Sequence, residues 1–394
     1  MRSTTLSLIS LLPFMGHVLG STACKPKSTE SVSASITAPA VAAVATDGTE
    51  LTPASGSATS SAINSEYTTA IDTGNDEPTM APGTHSSFTF KQQDKENCDC
   101  GYKVSGLGDI YMPFKFQFNF SSIPDSAAFS GEDDLKEFGW RINQGHHVGG
   151  PSSNGTKWDG TKLIPENIYQ CLGDPSSLSV KNGNLQLIVK GGQTPSDHMN
   201  CPEIIHNNET LYGIFQSEIQ FSDVTGTCQA FWLNHTIAGQ YADELDIEVL
   251  GGAINKPNDN QPNPGLWSTN WDPNGNPNDP LNLTRSSGAN DNFLPTPFPN
   301  DPTKGFNTYT IAWVPGEYSP RYYNGQEVNS PTLYNAIHPQ ELTVNNWSNH
   351  VKGWSGEVPQ EDSIMLVKSV LFYYRTEQFQ SLPEGCKAED VCIV

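Results

Sequence analysis

Residues 178–192 read LSVKNGNLQLIVKGG. Asn182, Gly183 and Asn184 stand between two segments in which apolar and polar residues alternate, and Asn-Gly is the dipeptide that two-residue hairpin turns favour. The stretch therefore predicts a β-hairpin with one apolar face. Similar runs follow it: YGIFQSEIQF, CQAFWLNHT, DELDIEVLG, LWSTNW, FNTYTIAWV, RYYNGQEV, QELTVNNWS and IMLVKSVLFYYR. Each is rich in aromatic and β-branched residues, and Gly, Pro, Asn and Asp clusters separate them. Sustained helical periodicity is scarce, with GEDDLKEFGW as the one short candidate. About ten to fourteen strands with no break in composition predict one all-β sandwich spanning residues 96–394. The Asn/Pro-rich stretches NKPNDNQPNPG and DPNGNPNDPLNL read as its surface loops.

Upstream the texture differs. Arg2 precedes the apolar run LSLISLLPF and the small residues VLGS, so residues 1–20 read as a secretory signal peptide. Residues 21–95 are rich in Ser, Thr, Ala and Pro, with too little apolar surface to offset the entropy of ordering, and read as a disordered stalk. Later runs are too short for a transmembrane helix. Six sequons, at Asn119, Asn154, Asn208, Asn234, Asn282 and Asn346, fit a secreted glycoprotein, extracellular or held at a cell wall. Eight cysteines in that setting predict disulfides. Cys386 and Cys392 can bridge each other or tie the C-terminus to Cys98 and Cys100. The formal charge of −22, from 43 acidic and 21 basic residues, argues against nucleic acid and anionic membranes as partners.

In DELDIEVL, Glu244, Asp246 and Glu248 fall on one face of a strand, and Leu245, Ile247 and Val249 on the other. Three like charges on one face are tolerable in solvent. In a cleft one of them must hold a proton. The α-carbons of Glu244 and Glu248 are about 13 Å apart in an extended strand, and two converging Glu side chains bring their carboxyls to roughly 5–6 Å. That is near the spacing used for retaining glycoside hydrolysis. Asp246, shorter and between them, is placed to hydrogen-bond the nucleophile and adjust the acidity of both.

DELDIEVLGG resembles the active-site signature of glycoside hydrolase family 16, in the clade whose motif is Glu-x-Asp-x-Glu without an inserted residue. That clade contains lichenases, plant xyloglucan transglycosylases and fungal wall glucan-chitin transglycosylases. The flanking runs LYGIFQSEIQFSDVTGTCQAFWL, FNTYTIAWVPGEYSPRYYNGQEV and GWSGEVPQEDSIMLVKSVLFYYR resemble the strands around that signature, so the likeness covers about residues 97–376. It implies a concanavalin A-like β-jelly-roll sandwich of two antiparallel sheets, with Glu244 as nucleophile, Asp246 as its helper and Glu248 as acid/base. Val249 stands where lichenases and plant transglycosylases usually carry an aromatic residue.

Sugars present flat CH faces to aromatic side chains. Trp232, Trp271 and Trp354 are therefore candidate substrate-binding residues together with Asn270, while Trp140, Trp313 and Trp347 read as core. The expected protein is a monomeric, secreted endo-β-glucanase that acts on β-1,3 or β-1,4 bonds of wall polysaccharide. This chemistry requires no cofactor, the sequence does not indicate a structural calcium, and adjacent His146 and His147 do not make a metal site. Transglycosylation by the same residues is the alternative. A lectin-like binding protein or a structural wall protein would leave the acid trio unexplained.

Overall fold

A computed structural model of the 394-residue chain describes residues 87–147, 155–158, 163–166, 170–194, 198–235, 243–255, 264–271, 295–316, 319–331, 334–350 and 354–394. The signal-peptide segment, nearly all of the stalk, Cys24, and the sequons at Asn154 and Asn282 lie outside the described residues. Contacts divide the chain into Met1–Asp72 and Thr73–Val394, and everything described belongs to the second unit.

Two antiparallel sheets dominate. The first has eight strands, in the order Gln326–Asn329, Arg321–Tyr323, Asn307–Trp313, Gly213–Gln220, Ser363–Tyr374, Asn184–Val189 and Leu178–Lys181, and Phe114–Asn119 also pairs with the far half of Ser363–Tyr374. The second has six: Leu266–Trp271, Asp243–Leu250, Cys228–His235, Glu341–Trp347, Glu203–His206 and Trp140–Ile142. Asn182 and Gly183 take φ of 52° and 71°, the left-handed pair that a tight hairpin turn needs, and Asn324 and Gly325 repeat this in RYYNGQEV. The GEDDLKEFGW segment holds a 3-10 helix, Glu132–Phe138, which ends at Gly139.

Strand alternation explains why the sheets stack. Leu245, Ile247 and Val249 from the acidic strand, with Phe231, Leu233, Leu342 and Val344 beside them, meet Phe215, Ile311, Trp313, Met365, Val367 and Phe372 in one core. The result is the all-β sandwich expected from the strand pattern, with the two antiparallel sheets of the β-jelly-roll that the family resemblance implied. A further layer covers the outer side of the eight-stranded sheet, where Phe88, Val104, Ile110, Met112 and Val394 pack on Ile214, Ala312, Tyr322 and Tyr373.

Two expectations are corrected, at the start of the packed region and at the Asn346 sequon, and of the two disulfide arrangements left open the one that ties the C-terminus to Cys98 and Cys100 is found. The packed region begins before residue 96, since the Phe88 amide donates to the Gly325 carbonyl and Phe88 is 3% exposed. Cys98 pairs with Cys392, Cys100 with Cys386 and Cys171 with Cys201, whereas Cys228 is a buried free thiol. Asn346 is fully buried, and its amide donates to the carbonyls of Leu187 and Ser363, which leaves no room for a glycan at that sequon. Trp140 and Trp313 are core residues as expected. Among the described residues no helix is long and apolar enough to cross a membrane.

Candidate active site

The acids lie on the outer face of the six-stranded sheet. Strand register arranges that face into three transverse rows. One row runs Trp271, Glu244, Asn234, Glu341; the next runs Thr269, Asp246, Trp232, Thr343, Ile205, Arg141; the third runs Trp267, Glu248, Ala230, Asn345, Glu203. Glu244 and Glu248 remain partly accessible while Asp246 is 3% exposed.

The middle acid is held from both sides. The Trp271 indole N–H donates to Asp246 Oδ2 at 2.7 Å. Burial, followed by the charges of Glu244 and Glu248, pushes the Asp246 carboxyl well above the usual carboxylate range, and its side chain hydrogen-bonds Glu244. A carboxyl pushed up in this way is placed to donate its proton to Glu244 through that hydrogen bond. Glu248 is pushed up by burial to about 7, although hydrogen bonds from Cys228 and Trp354 pull the other way. The Cys228 thiol donates to Glu248 Oε1 at 3.2 Å.

These shifts have consequences for stability. The folded state holds the Glu248 proton up to about pH 7, whereas an unfolded Glu releases it near its ordinary 4.5. The folded state therefore binds more protons between those values, and stability is lost as pH rises through that window. At 1.36 kcal/mol per pKa unit the loss is on the order of 3 kcal/mol. Glu248→Gln is expected to melt higher than the wild type at pH 8 but level with it at pH 4.5. Calorimetry at the two pH values checks this.

The acidic strand is also fixed from behind. Arg321 extends from the eight-stranded sheet, fully buried, and its Nε donates to the Asp246 carbonyl at 3.2 Å while Nη2 donates to Asn270 Oδ1 at 2.6 Å. Burial lowers the guanidinium to about 9, so it stays charged at neutral pH. At the strand's start the buried Asp243 carboxylate accepts from the Ile337 and His338 amides and lies 2.7 Å from His338 Nδ1; the His338 ring stacks on His235.

Of the expected substrate residues, Trp232 and Trp271 face the same side as the acids. Trp354 hydrogen-bonds Glu248 and packs edge-on against Trp267 at 4.8 Å. Asn270 is the exception. It pairs with Leu245, is fully buried, and donates to Ser319 Oγ and the Tyr334 carbonyl, so it props the strand from inside and does not reach substrate. Asn234 lies directly across from Glu244, so a glycan on it would stand beside that carboxylate. Sequence reasoning missed Cys228, Trp267, Arg321 and the buried Glu203, which accepts from Asn143 and Asn345 at 2.6 and 2.8 Å. The alternation of their strands would have placed Cys228 and Trp267 on the acid face. Nothing local marks Arg321. Among the described residues no cluster of His, Cys, Asp or Glu is arranged to hold a metal ion.

Two curated β-glucanases match at 25% identity. The one from Brevibacillus brevis aligns over 182 residues, 44% of this chain and 60% of that protein, so the chain spans only part of its length. The one from Paenibacillus macerans aligns over 194 residues, 48% of this chain and 70% of the relative. Among solved structures, the Bacillus licheniformis β-glucanase superposes with a TM-score of 0.46 at 17% identity, covering 66% of this chain and 98% of that one. The family model for glycosyl hydrolases family 16 matches residues 166–350, which contain the acid trio and the strands on either side of it. The segment at residues 166–350 belongs to glycosyl hydrolases family 16.

Proposed function

We propose that the protein is a secreted, retaining endo-β-glucanase that cleaves internal β-1,3 or β-1,4 glucosidic bonds of wall polysaccharide. The observation that carries this reading is the placement of the trio: Glu244, Asp246 and Glu248 share the open face of one strand, Asp246 hydrogen-bonds Glu244, and the Cys228 thiol donates to Glu248. Asp246 is pushed up beside Glu244, and Glu248 to about 7. Glu244, ionised and restrained, attacks the anomeric carbon. Glu248, protonated, gives its proton to the leaving glycosidic oxygen, and the bond breaks to leave a glycosyl ester on Glu244. Glu248, now a carboxylate, takes a proton from water, which displaces Glu244. Two displacements restore the β configuration. The β-glucanase names of the two bacterial relatives support the substrate class.

Transfer to a sugar acceptor is the second reading, and Trp267 and Trp354 favour it. They pack together beside Glu248, in an apolar cluster with Leu250 and Trp347 where a sugar ring competes well with water.

Mixed-linkage glucan, laminarin, xyloglucan and labelled chitin oligosaccharides, offered to the purified protein with products followed by NMR, test the proposal. Initial release of the β-anomer from a glucan supports it. Initial release of the α-anomer, or no turnover of any glucan, overturns it.

Because Glu248 must carry its proton in the first step, kcat/KM is expected to fall on the alkaline side with a midpoint near 7. The thiol of Cys228 favours the ionised form of Glu248. Cys228→Ala therefore moves that midpoint to higher pH, by less than about one unit for a weak donor. A midpoint that stays put or moves down in the pH–rate profile would show that the thiol does not act on this carboxyl.

A further inference from the structure

A cavity of about 660 Å³ opens at the end of the six-stranded sheet, outside the acid trio. Its walls come from the turn at 207–209, from Glu341 at the start of its strand, and from the segment Tyr374 to Phe379 that follows the longest strand. Phe114, Tyr374 and Phe379 lie outside the family-matched residues 166–350. The cavity is thus built in part by portions of the chain that flank the matched segment. The segment is shaped in advance: the Phe379 amide donates to the Thr376 carbonyl at 3.1 Å, and Gln380 Nε2 donates to the Leu211 carbonyl at 2.8 Å.

The chemistry of the walls selects a ligand. Phe379 is 53% exposed, although its ring meets Phe114 edge-on at 5.4 Å. A large ring left in solvent at a cavity mouth is a stacking platform. Around it stand the carboxylates of Glu209 and Glu377 and the amide of Asn208, while Glu341 is paired with Arg141 at 2.6 Å, and no Lys, Arg or His is among the lining residues. Anions are repelled. A polyhydroxylated neutral ligand with an apolar ring face suits both components, and the volume falls in the ordinary range for ligand sites.

Position links the cavity to the acids. Glu341 stands in the same transverse row as Glu244, separated from it by Asn234 alone. Two strand spacings amount to about 10 Å, the reach of a short oligosaccharide. We infer that this cavity is a second saccharide site, which takes a neutral β-linked glucan chain whose other end lies across the acid trio. This rests on the proposed glucanase reading and extends it: the protein is built to hold long chains. Asn208 is itself a sequon at the cavity wall, so a glycan on it would enter the same space.

The test uses the full chain carrying Glu248→Gln, so that ligand is not consumed, after enzymatic removal of N-glycans. Short and long soluble β-glucan oligosaccharides are titrated calorimetrically, and turnover of the same glucans by the wild type is measured in parallel. The long chain is expected to bind more tightly than the short one, and Phe379→Ala to reduce that advantage about three- to tenfold, the worth of one ring contact. Glu377→Ala, at an exposed position, should reduce it in the same direction and serves if Phe379→Ala does not fold. Equal binding of short and long chains, no binding of either, or an advantage that survives both substitutions overturns the second site. If the wild type still cleaves glucan in that case, the glucanase reading stands without it.

Discussion

Glu244→Ala is expected to lower kcat/KM on β-glucan about 10⁴-fold or more, and Glu248→Gln by a similar factor, because in the proposed mechanism they are the nucleophile and the proton donor, which act as a unit. Size alone does not separate their roles. Leaving-group dependence does. An oligoglucoside with a dinitrophenyl leaving group needs no protonation, so the Glu248 variant should recover much of its first step on that substrate while the Glu244 variant should not. Azide provides a stereochemical check. In the Glu244→Ala protein, azide occupies the emptied space, attacks from the face that the carboxylate used, and yields the α-glycosyl azide. In a Glu248→Ala protein the glycosyl ester on Glu244 still forms, and azide displaces it from the opposite face to give the β-azide. The same azide anomer from both variants, or a Glu244→Ala rate within about tenfold of the wild type, would remove these two residues from their roles.

That Glu244, Asp246 and Glu248 share one face was legible from a period of two, whereas the roles proposed for them came from the family resemblance. In Asp243–Leu250 the side chains alternate between a core and an open face, so DELDIEVL declares both at once, and the structure puts Leu245, Ile247 and Val249 inside and the acids outside. The hairpins at Asn182-Gly183 and Asn324-Gly325 were legible for the same reason, since turn chemistry is local. The errors came from patterns that carry no information about burial. Asn346 satisfies a sequon, yet its amide is used inside the sandwich. Asn270 was grouped with Trp271, although neighbours on a strand face opposite ways, and Trp271 alone reaches Asp246. An even cysteine count suggested complete pairing, but the thiol of Cys228 is spent on Glu248. Residues that act across the sandwich were the least legible, because partners separated by dozens of positions leave no local mark. Arg321 lies 75 positions from Asp246, whose carbonyl it binds.

Arg321→Met is expected to produce the largest loss of stability of any single change near the site. The side chain is fully buried, and it donates to four oxygens: the carbonyls of Asp246, Ser319 and Thr269, and Asn270 Oδ1. Methionine fills much of the volume but supplies no donor, so those acceptors remain in a medium that cannot hydrate them. Breaking one side of a buried charged network costs about 3–5 kcal/mol, and at about 2–4 °C per kcal/mol for a domain of this size the melting temperature should fall by roughly 10 °C. Arg321→Lys should fall between the two, because one ammonium cannot span the four acceptors that a planar guanidinium reaches. The loss is not confined to stability. Three of the four oxygens belong to the acidic strand and its neighbour, directly behind Asp246 and Trp271, so loosening them disturbs the contact that orients the middle acid. Activity measured well below the new melting temperature should therefore also fall, and fall more than in a cavity variant of equal stability cost placed far away, such as Met365→Ala in the core. Equal melting temperatures for Arg321→Met and the wild type would mean that water or another donor takes over those oxygens. Equal activity at matched stability would mean that the guanidinium holds the sandwich together without aligning its acids.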